Sequence, residues 1–398
     1  MALLPVYDVL ERVLNSITEL TSEVISIHNA LGRIVAEDII SKLTQPPFAA
    51  SAMDGYAVRF DDIEGPLDVV GESQAGQSFD GILEPGQAVR IFTGAPMVDG
   101  ADTVVIQEYV IRKDDQIIVN NCTAAGGNIR AAGSDFMAGE CLIQAHTKID
   151  ARHIALIAAG NVAWFSVYKQ SKVAILSTGD ELLEVGSDIG PYKIVNSNVP
   201  LFMALVIEHG GIPINLGTAK DTVEDVKAKI ALVKDVDIFV SIGGVSVGDY
   251  DIIQDVLKET GLKVDFWKVA IMPGKPIVYG DFNGIPFFGL PGNPSSAYVC
   301  FANFVLPAMY KMQGRDQNSF PVSHARLEHD IKAGSKRLNF MRAIYRENER
   351  GEKYVNSTLT QSSANLKTLA RSNCLLVRDV GAPPANTGDL VKIIIIAP

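Results

Sequence analysis

The feature that most constrains this chain is a change of pattern at Lys172. From there to Met309, short apolar runs alternate with stretches of helical spacing. Strands are expected near 173–176, 212–216, 236–242, 264–269 and 287–290. Helices are expected near 200–208, 223–233, 251–259 and 295–309. Such alternation predicts a parallel α/β sheet, and ligands of such sheets sit beyond the carboxyl ends of the strands. On either side the text differs. Val6, Leu10, Val13, Leu14 and Ile17 recur at helical spacing. A second helix is expected over 27–36, with Ala30 and Leu31 facing inward, before Gln45-Pro46-Pro47-Phe48 breaks the pattern. Residues 51–135 hold short apolar runs between glycines and prolines (67–70, 88–92, 103–106, 117–119), which predicts β structure. Helical spacing returns over 151–159, so the β-rich part is expected to be an insertion. After Gly314, runs at 341–345, 375–377 and 390–396 predict a small C-terminal β domain. The expected fold is therefore multidomain, α/β and β. Its parts are an elongated helical N-terminal domain (1–45 with 140–170), a β-rich insertion (46–139), a central α/β sheet domain (171–315) and a small barrel-like β domain (316–398).

Composition narrows the function. The 398 residues hold 35 Lys and Arg against 46 Asp and Glu, a formal charge of −11, so no general nucleic-acid footprint stands out. Cys122, Cys141, Cys300 and Cys374 form no CxxC pair, which argues against a zinc site and for a reduced, cytoplasmic setting. Asp8, Glu11, Arg12 and Glu19 interrupt any signal sequence, and no apolar run approaches the ~20 residues of a membrane span.

The expected strand ends carry the chemistry. The first ends Ser177-Thr178-Gly179-Asp180-Glu181, whose adjacent carboxylates suit a divalent cation; the same string also serves as a turn with an N-capping Asp. The third ends Gly243-Gly244-Val245-Ser246-Val247-Gly248-Asp249-Tyr250-Asp251. Glycines between strand and helix let backbone N–H groups close around an oxyanion, and the neighbouring aspartates then require a bridging cation. A tight βα turn whose glycines serve only the backbone is the alternative. The string matches neither a P-loop nor a dinucleotide fingerprint. Lys268 and Pro273-Gly274-Lys275-Pro276 place cations in a rigid turn. Pro291-Gly292-Asn293-Pro294-Ser295-Ser296 opens a helix whose N-terminus attracts anions. Earlier, Ser51-Ala52-Met53-Asp54-Gly55-Tyr56-Ala57, Thr93-Gly94-Ala95-Pro96 and residues 127–135 read as loops, with Asp54 and Asp135 as caps. No Ser-His-Asp or Cys-His arrangement can be argued.

Taken in order, SAMDGYA, TGAP, GGNIRAAGSD, STGDEL, GGVSVGDYD, PGKP and LPGNPSSA resemble the molybdopterin molybdenumtransferase family, which includes bacterial MoeA and the gephyrin E domain. The resemblance covers essentially the whole chain. It implies a transferase of molybdenum cofactor biosynthesis that takes adenylylated molybdopterin and molybdate. Molybdenum is placed at the dithiolene sulfurs and AMP is released with Mg²⁺. It further implies an elongated homodimer whose active site is shared between subunits. The molybdopterin adenylyltransferase and downstream molybdoenzymes are further implied partners.

Carried over by motif, Asp180, Glu181, Asp249 and Asp251 bind Mg²⁺ or orient the adenylyl phosphate, with Asp221 a further acidic position. Ser177, Thr178, Gly179, Gly243, Gly244, Ser246, Gly248, Pro291, Gly292, Asn293, Pro294 and Ser296 form the cofactor cradle. Ser246, Lys275 and Ser296 contact oxyanion groups. Asp54, Thr93, Arg130 and Asp135 complete the site from the partner subunit. Three departures stand out. Met272 replaces a basic residue before PGKP, so Lys268 and Lys275 are expected to carry more of the anion binding. Asn196-Ser197-Asn198-Val199 lacks a carboxylate and a guanidinium of the family string, for which Lys193 can substitute. Cys374 stands at a glycine position and is expected to be a buried structural thiol. A non-catalytic scaffold of the gephyrin type is the alternative reading, opposed by the retained acidic residues.

Overall fold

The structure is a computed structural model that describes residues 3–121, 124–244, 252–315 and 320–396. The chain divides into two compact units, Val24–Leu31 with Glu37–Ser166, and Val167–Pro398 with Met1–Glu23 and Gly32–Ala36.

The first unit holds a six-stranded sheet of β1 (Gly55–Val58), β2 (Pro66–Ser73), β3 (Gln87–Ile91), β4 (Thr103–Ile106), β5 (Val110–Lys113) and β6 (Gln116–Val119). The spatial order is β4-β1-β3-β2-β6-β5, antiparallel except for the β2–β3 pair. Alternation sends Ala57, Val89, Ile91 and Val104 into one buried cluster, and Tyr56, Val58, Ala88 and Val105 into another. Both faces are covered, so the central strands read as continuous apolar runs. The helix Ala151–Ala159 also belongs here. The helix expected over 27–36 does not form. Only a single 3-10 turn, Ile27–Asn29, is present, and Gly32 at φ +78° ends any helical path. Ala30 is buried as expected, but Leu31 is 67% exposed.

The second unit holds the α/β sheet: β7 (Lys172–Thr178), β8 (Ile212–Ala219), β9 (Ile238–Ile242), β10 (Leu262–Trp267), β11 (Val278–Phe282) and β12 (Ile285–Leu290), in the order β8-β7-β9-β12-β11-β10. The pairs β8–β7, β7–β9 and β9–β12 are parallel. At the far edge β11 and β10 are antiparallel. Asn283 and Gly284, both at positive φ, make the two-residue turn that reverses β11 into β12. One face is covered by Val6–Ser16, Asn198–Glu208 and the helical stretch 294–312, and the other by Val223–Ile230 and Ile252–Glu259. The stretch 294–312 is not one regular helix. A π turn, Phe301–Val305, precedes Pro307, which has no N–H to give the carbonyl four residues back. The C-terminal strands β13 (Val322–Leu327), β14 (Leu338–Glu347), β15 (Lys353–Asn356), β16 (Cys374–Arg378) and β17 (Leu390–Ile395) run β14-β15-β13-β17-β16, and a β14–β16 pairing closes them into a small barrel. Burial pushes the Cys374 thiol up to about 12, so it is a packing group. No described helix is long and apolar enough to cross a membrane.

Candidate functional site

A cleft of about 920 Å³ opens at the carboxyl ends of β7, β9 and β12. Three parallel strands end side by side there, and glycines let their loops approach. Gly243 lies at φ +86°, and a Cβ on it would stand 2.9 Å from the Thr178 carbonyl. Its N–H donates to the Leu290 carbonyl at 3.0 Å. Gly179, at φ +143°, donates to the Ala219 carbonyl, and the Glu181 carboxylate folds back over it. Ser177, Thr178, Gly179, Glu181, Asp221, Gly243, Gly244 and Pro291 through Pro294 all line this cleft.

Its acidic rim is built by two loops that clasp each other. Asp180 N–H donates to Asp221 Oδ2 at 3.3 Å, and Asp221 N–H donates to Asp180 Oδ1 at 3.1 Å. Each carboxylate spends one oxygen on the other loop, and among the described residues the second oxygen accepts no hydrogen bond. Lys193 Nζ donates to the Asp180 carbonyl at 2.6 Å, so this lysine braces the acidic loop. Among the described residues no three acidic, His or Cys side chains come close enough to enclose a metal ion. The donor set is nevertheless hard oxygen, and Mg²⁺ takes only one or two protein carboxylates in many sites. Ser246, Gly248, Asp249 and Asp251 lie outside the described residues.

Several groups that sequence reasoning missed also shape the cleft. Asn198 Nδ2 donates to the Gly292 carbonyl at 2.7 Å, while its Oδ1 is buried without a partner among the described residues, as is Oγ of Ser177, a residue the sequence did mark. Both residues line the cleft, and buried unpaired polar atoms are costly unless a ligand uses them. Ala364 and Leu366 supply wall from outside the sheet. Their segment is tied to the loop after β12, because Ser295 N–H donates to the Ser363 carbonyl at 3.0 Å. No local motif marks Ala364 or Leu366.

The cations are placed differently. Lys275 is exposed and its carbonyl accepts from the Val269 and Ile277 N–H groups. Lys268 Nζ sits over the Trp267 ring at 5.3 Å. Neither lysine lines the cleft, nor does the buried Ser296, although Pro276 does. At Met272, Arg337 Nη2 contacts the thioether sulfur at 3.3 Å, so a guanidinium from β14's approach reaches this loop.

In the other unit, Asp54 Oδ1 accepts from Thr93 N–H at 2.7 Å and Thr93 Oγ1 at 2.8 Å. These two bonds, with the nearby Arg90 charge, hold its carboxyl below the usual carboxylate range. Asp54 therefore ties two distant loops and does not cap its own turn. Arg130 lies on a short strand paired with Ala50–Ser51, next to the same turn. Asp135 makes no side-chain cap among the described residues; its N–H donates to the Gln45 carbonyl.

Three family profiles match the chain in order. They are the MoeA N-terminal region (domain I and II) over residues 4–160, a probable molybdopterin binding domain over 174–311, and the MoeA C-terminal region (domain IV) over 324–396. A molybdopterin molybdenumtransferase of Haemophilus influenzae is 37% identical over 94% of this chain and 93% of its own. That of Nostoc sp. is 36% identical over 94% and 88%. Among solved structures, the molybdopterin biosynthesis MoeA protein of Pyrococcus horikoshii matches with a TM-score of 0.85 at 28% identity, over 99% of this chain and 100% of that one.

Proposed function

The chain belongs to the molybdopterin molybdenumtransferase (MoeA) family, and from that premise we propose that it inserts molybdenum from molybdate into the dithiolene of adenylylated molybdopterin, with release of AMP. The observation that carries this reading is the convergence of Ser177–Gly179, Glu181, Asp221, Gly243-Gly244 and Pro291–Pro294 on one cleft at the sheet's carboxyl edge. Backbone N–H groups there bind oxyanions. Ser177 Oγ and Asn198 Oδ1 give neutral polar edges of the substrate a donor and an acceptor. Asp180, Glu181 and Asp221, with Asp249 and Asp251, hold Mg²⁺, which when bound offsets charge on the phosphoanhydride. The Asp180–Asp221 clasp orients that carboxylate set. Ser246 is assigned to molybdate or phosphate oxygens, and Lys268, Lys275 and Ser296, which lie outside the cleft's lining, would have to reach them from its margin. Asp54, Thr93, Arg130 and Asp135 act from the second subunit of a cytoplasmic homodimer built of the four domains given above. The adenylyltransferase that makes the substrate and the molybdoenzymes that take the product are its proposed partners.

The test is single-turnover AMP release from adenylylated molybdopterin with Mg²⁺, with and without molybdate. Release is expected to depend on molybdate. Glu181→Ala is expected to fold normally and lose about 10²-fold or more in rate, the scale of losing one electrostatic stabiliser. Unchanged turnover in Glu181→Ala would remove its assigned role. Substrate binding without any AMP release would favour the scaffold reading.

A further inference from the structure

Asp54 is supported by groups that a single arginine ties together. Its main-chain carbonyl accepts from Gln107 N–H at 3.1 Å, and its Oδ1 takes both Thr93 donors. Oδ2 accepts no hydrogen bond among the described residues. Arg90 touches the supports rather than the carboxylate: Nη1 donates to the Gly55 carbonyl at 3.0 Å, and Nη2 donates to Gln107 Oε1 at 2.7 Å. Its guanidinium lies 5.1 Å from the centre of the Tyr56 ring and 4.8 Å from that of Phe92. Tyr56 stands directly opposite Arg90 in the β1–β3 pairing, so the sheet itself fixes this stack. Every end of the arrangement meets the turn that carries Asp54: Gly55 follows it, Gln107 holds its carbonyl, and Phe92 precedes Thr93.

We propose that Arg90 is a positioning residue for Asp54: its planar fork, held over the Tyr56 and Phe92 rings, locks Gly55 to Gln107 and so sets the direction in which the uncommitted carboxylate oxygen is presented. A lysine cannot do this. A single ammonium carries no planar fork and stacks less well on aromatic faces. The inference rests on Asp54 being a residue of the active site, as proposed above.

The experiment combines a double-mutant cycle with a readout independent of turnover. Arg90→Gln, Asp54→Asn and the double variant are compared for kcat and KM of AMP release. Arg90→Gln is expected to lower kcat by about tenfold with KM changed by less than about twofold, and to add nothing on top of Asp54→Asn. Arg90→Lys should recover only part of the loss. In parallel, the amide signals of Thr93 and Gln107 are followed by NMR on the full-length protein, and both are expected to move in Arg90→Gln. Losses that multiply in the double variant, or Thr93 and Gln107 amides that stay at their wild-type positions, would overturn the proposal. If the wild-type protein releases no AMP, the functional reading falls on its own, and the two amides still decide the role of Arg90. Should Arg90→Gln fail to fold, Phe92→Leu removes one stacking ring and keeps the charge; the same signals and the same cycle are then read.

Discussion

Gly243 shows what a single residue decides here. Its φ of +86° is strained for any side chain, and a Cβ would stand 2.9 Å from a backbone oxygen that cannot swing away. Gly243→Ala is therefore expected to destabilise the protein by about 1–3 kcal/mol and to weaken binding in the cleft, because relief requires β7 and β9 to separate at their ends. Denaturant titration of the variant checks this; wild-type stability would mean that the loop has slack that its geometry does not show. The glycine was legible in the sequence, since Gly-Gly after an apolar run signals a special turn. Asn198 was not. It gains its place only because Gly292, 94 residues away, presents a carbonyl to it. Arg90 is similar: in sequence it is one charge in a strand, and its meaning comes from the Tyr56 and Phe92 rings beneath its guanidinium.

At the scale of elements, the helix Ala151–Ala159 illustrates how local chemistry sets a boundary. Asp150 Oδ1 accepts from the Arg152 and His153 N–H groups, and Asp150 N–H donates to His153 Nδ1, a reciprocal cap. The Arg152 side chain and these N–H donors hold the Asp150 carboxyl down at about 2, below its ordinary 3.8. A carboxyl lowered in the folded state contributes stability above its unfolded pKa, and that contribution is lost as pH falls toward 2. Asp150→Ala is thus expected to lower the melting temperature at neutral pH, with the gap from wild type closing between about pH 4 and pH 2. A gap independent of pH would assign the cap's effect to shape rather than charge. Elements with regular apolar periods, such as Val6–Ser16 and the capped Ala151–Ala159, matched their sequence signals closely. The missing helix at 27–36 and the π turn at Phe301–Val305 each trace to one residue, Gly32 and Pro307, that breaks the hydrogen-bond ladder inside an otherwise helical pattern.

For the whole molecule, net charge is the governing quantity. A chain at −11 repels anionic substrates before contact, while under the proposed function the cleft must still hold phosphate and molybdate. Salt screens the distant charges more than the close ones, with a Debye length of ~10 Å at 0.1 M. The KM for the adenylylated substrate is therefore expected to fall, not rise, between about 20 and 150 mM monovalent salt. Steady-state kinetics at fixed Mg²⁺ checks it, and a KM that rises throughout would show that local cations dominate the approach.

The periodic elements of this protein and the identity of its loops are written locally along the chain. The strand–helix alternation after Lys172, the β-rich stretch before Asp135 and the glycine- and proline-shaped strand ends are all local patterns, and local backbone preferences act without knowledge of the rest of the chain. Which loops meet is set by long-range packing. The Asp180–Asp221 clasp, the Asp54–Thr93 bond and the Arg90–Tyr56 contact join residues between 34 and 41 positions apart, and strand register, which no short window encodes, is what brings them together.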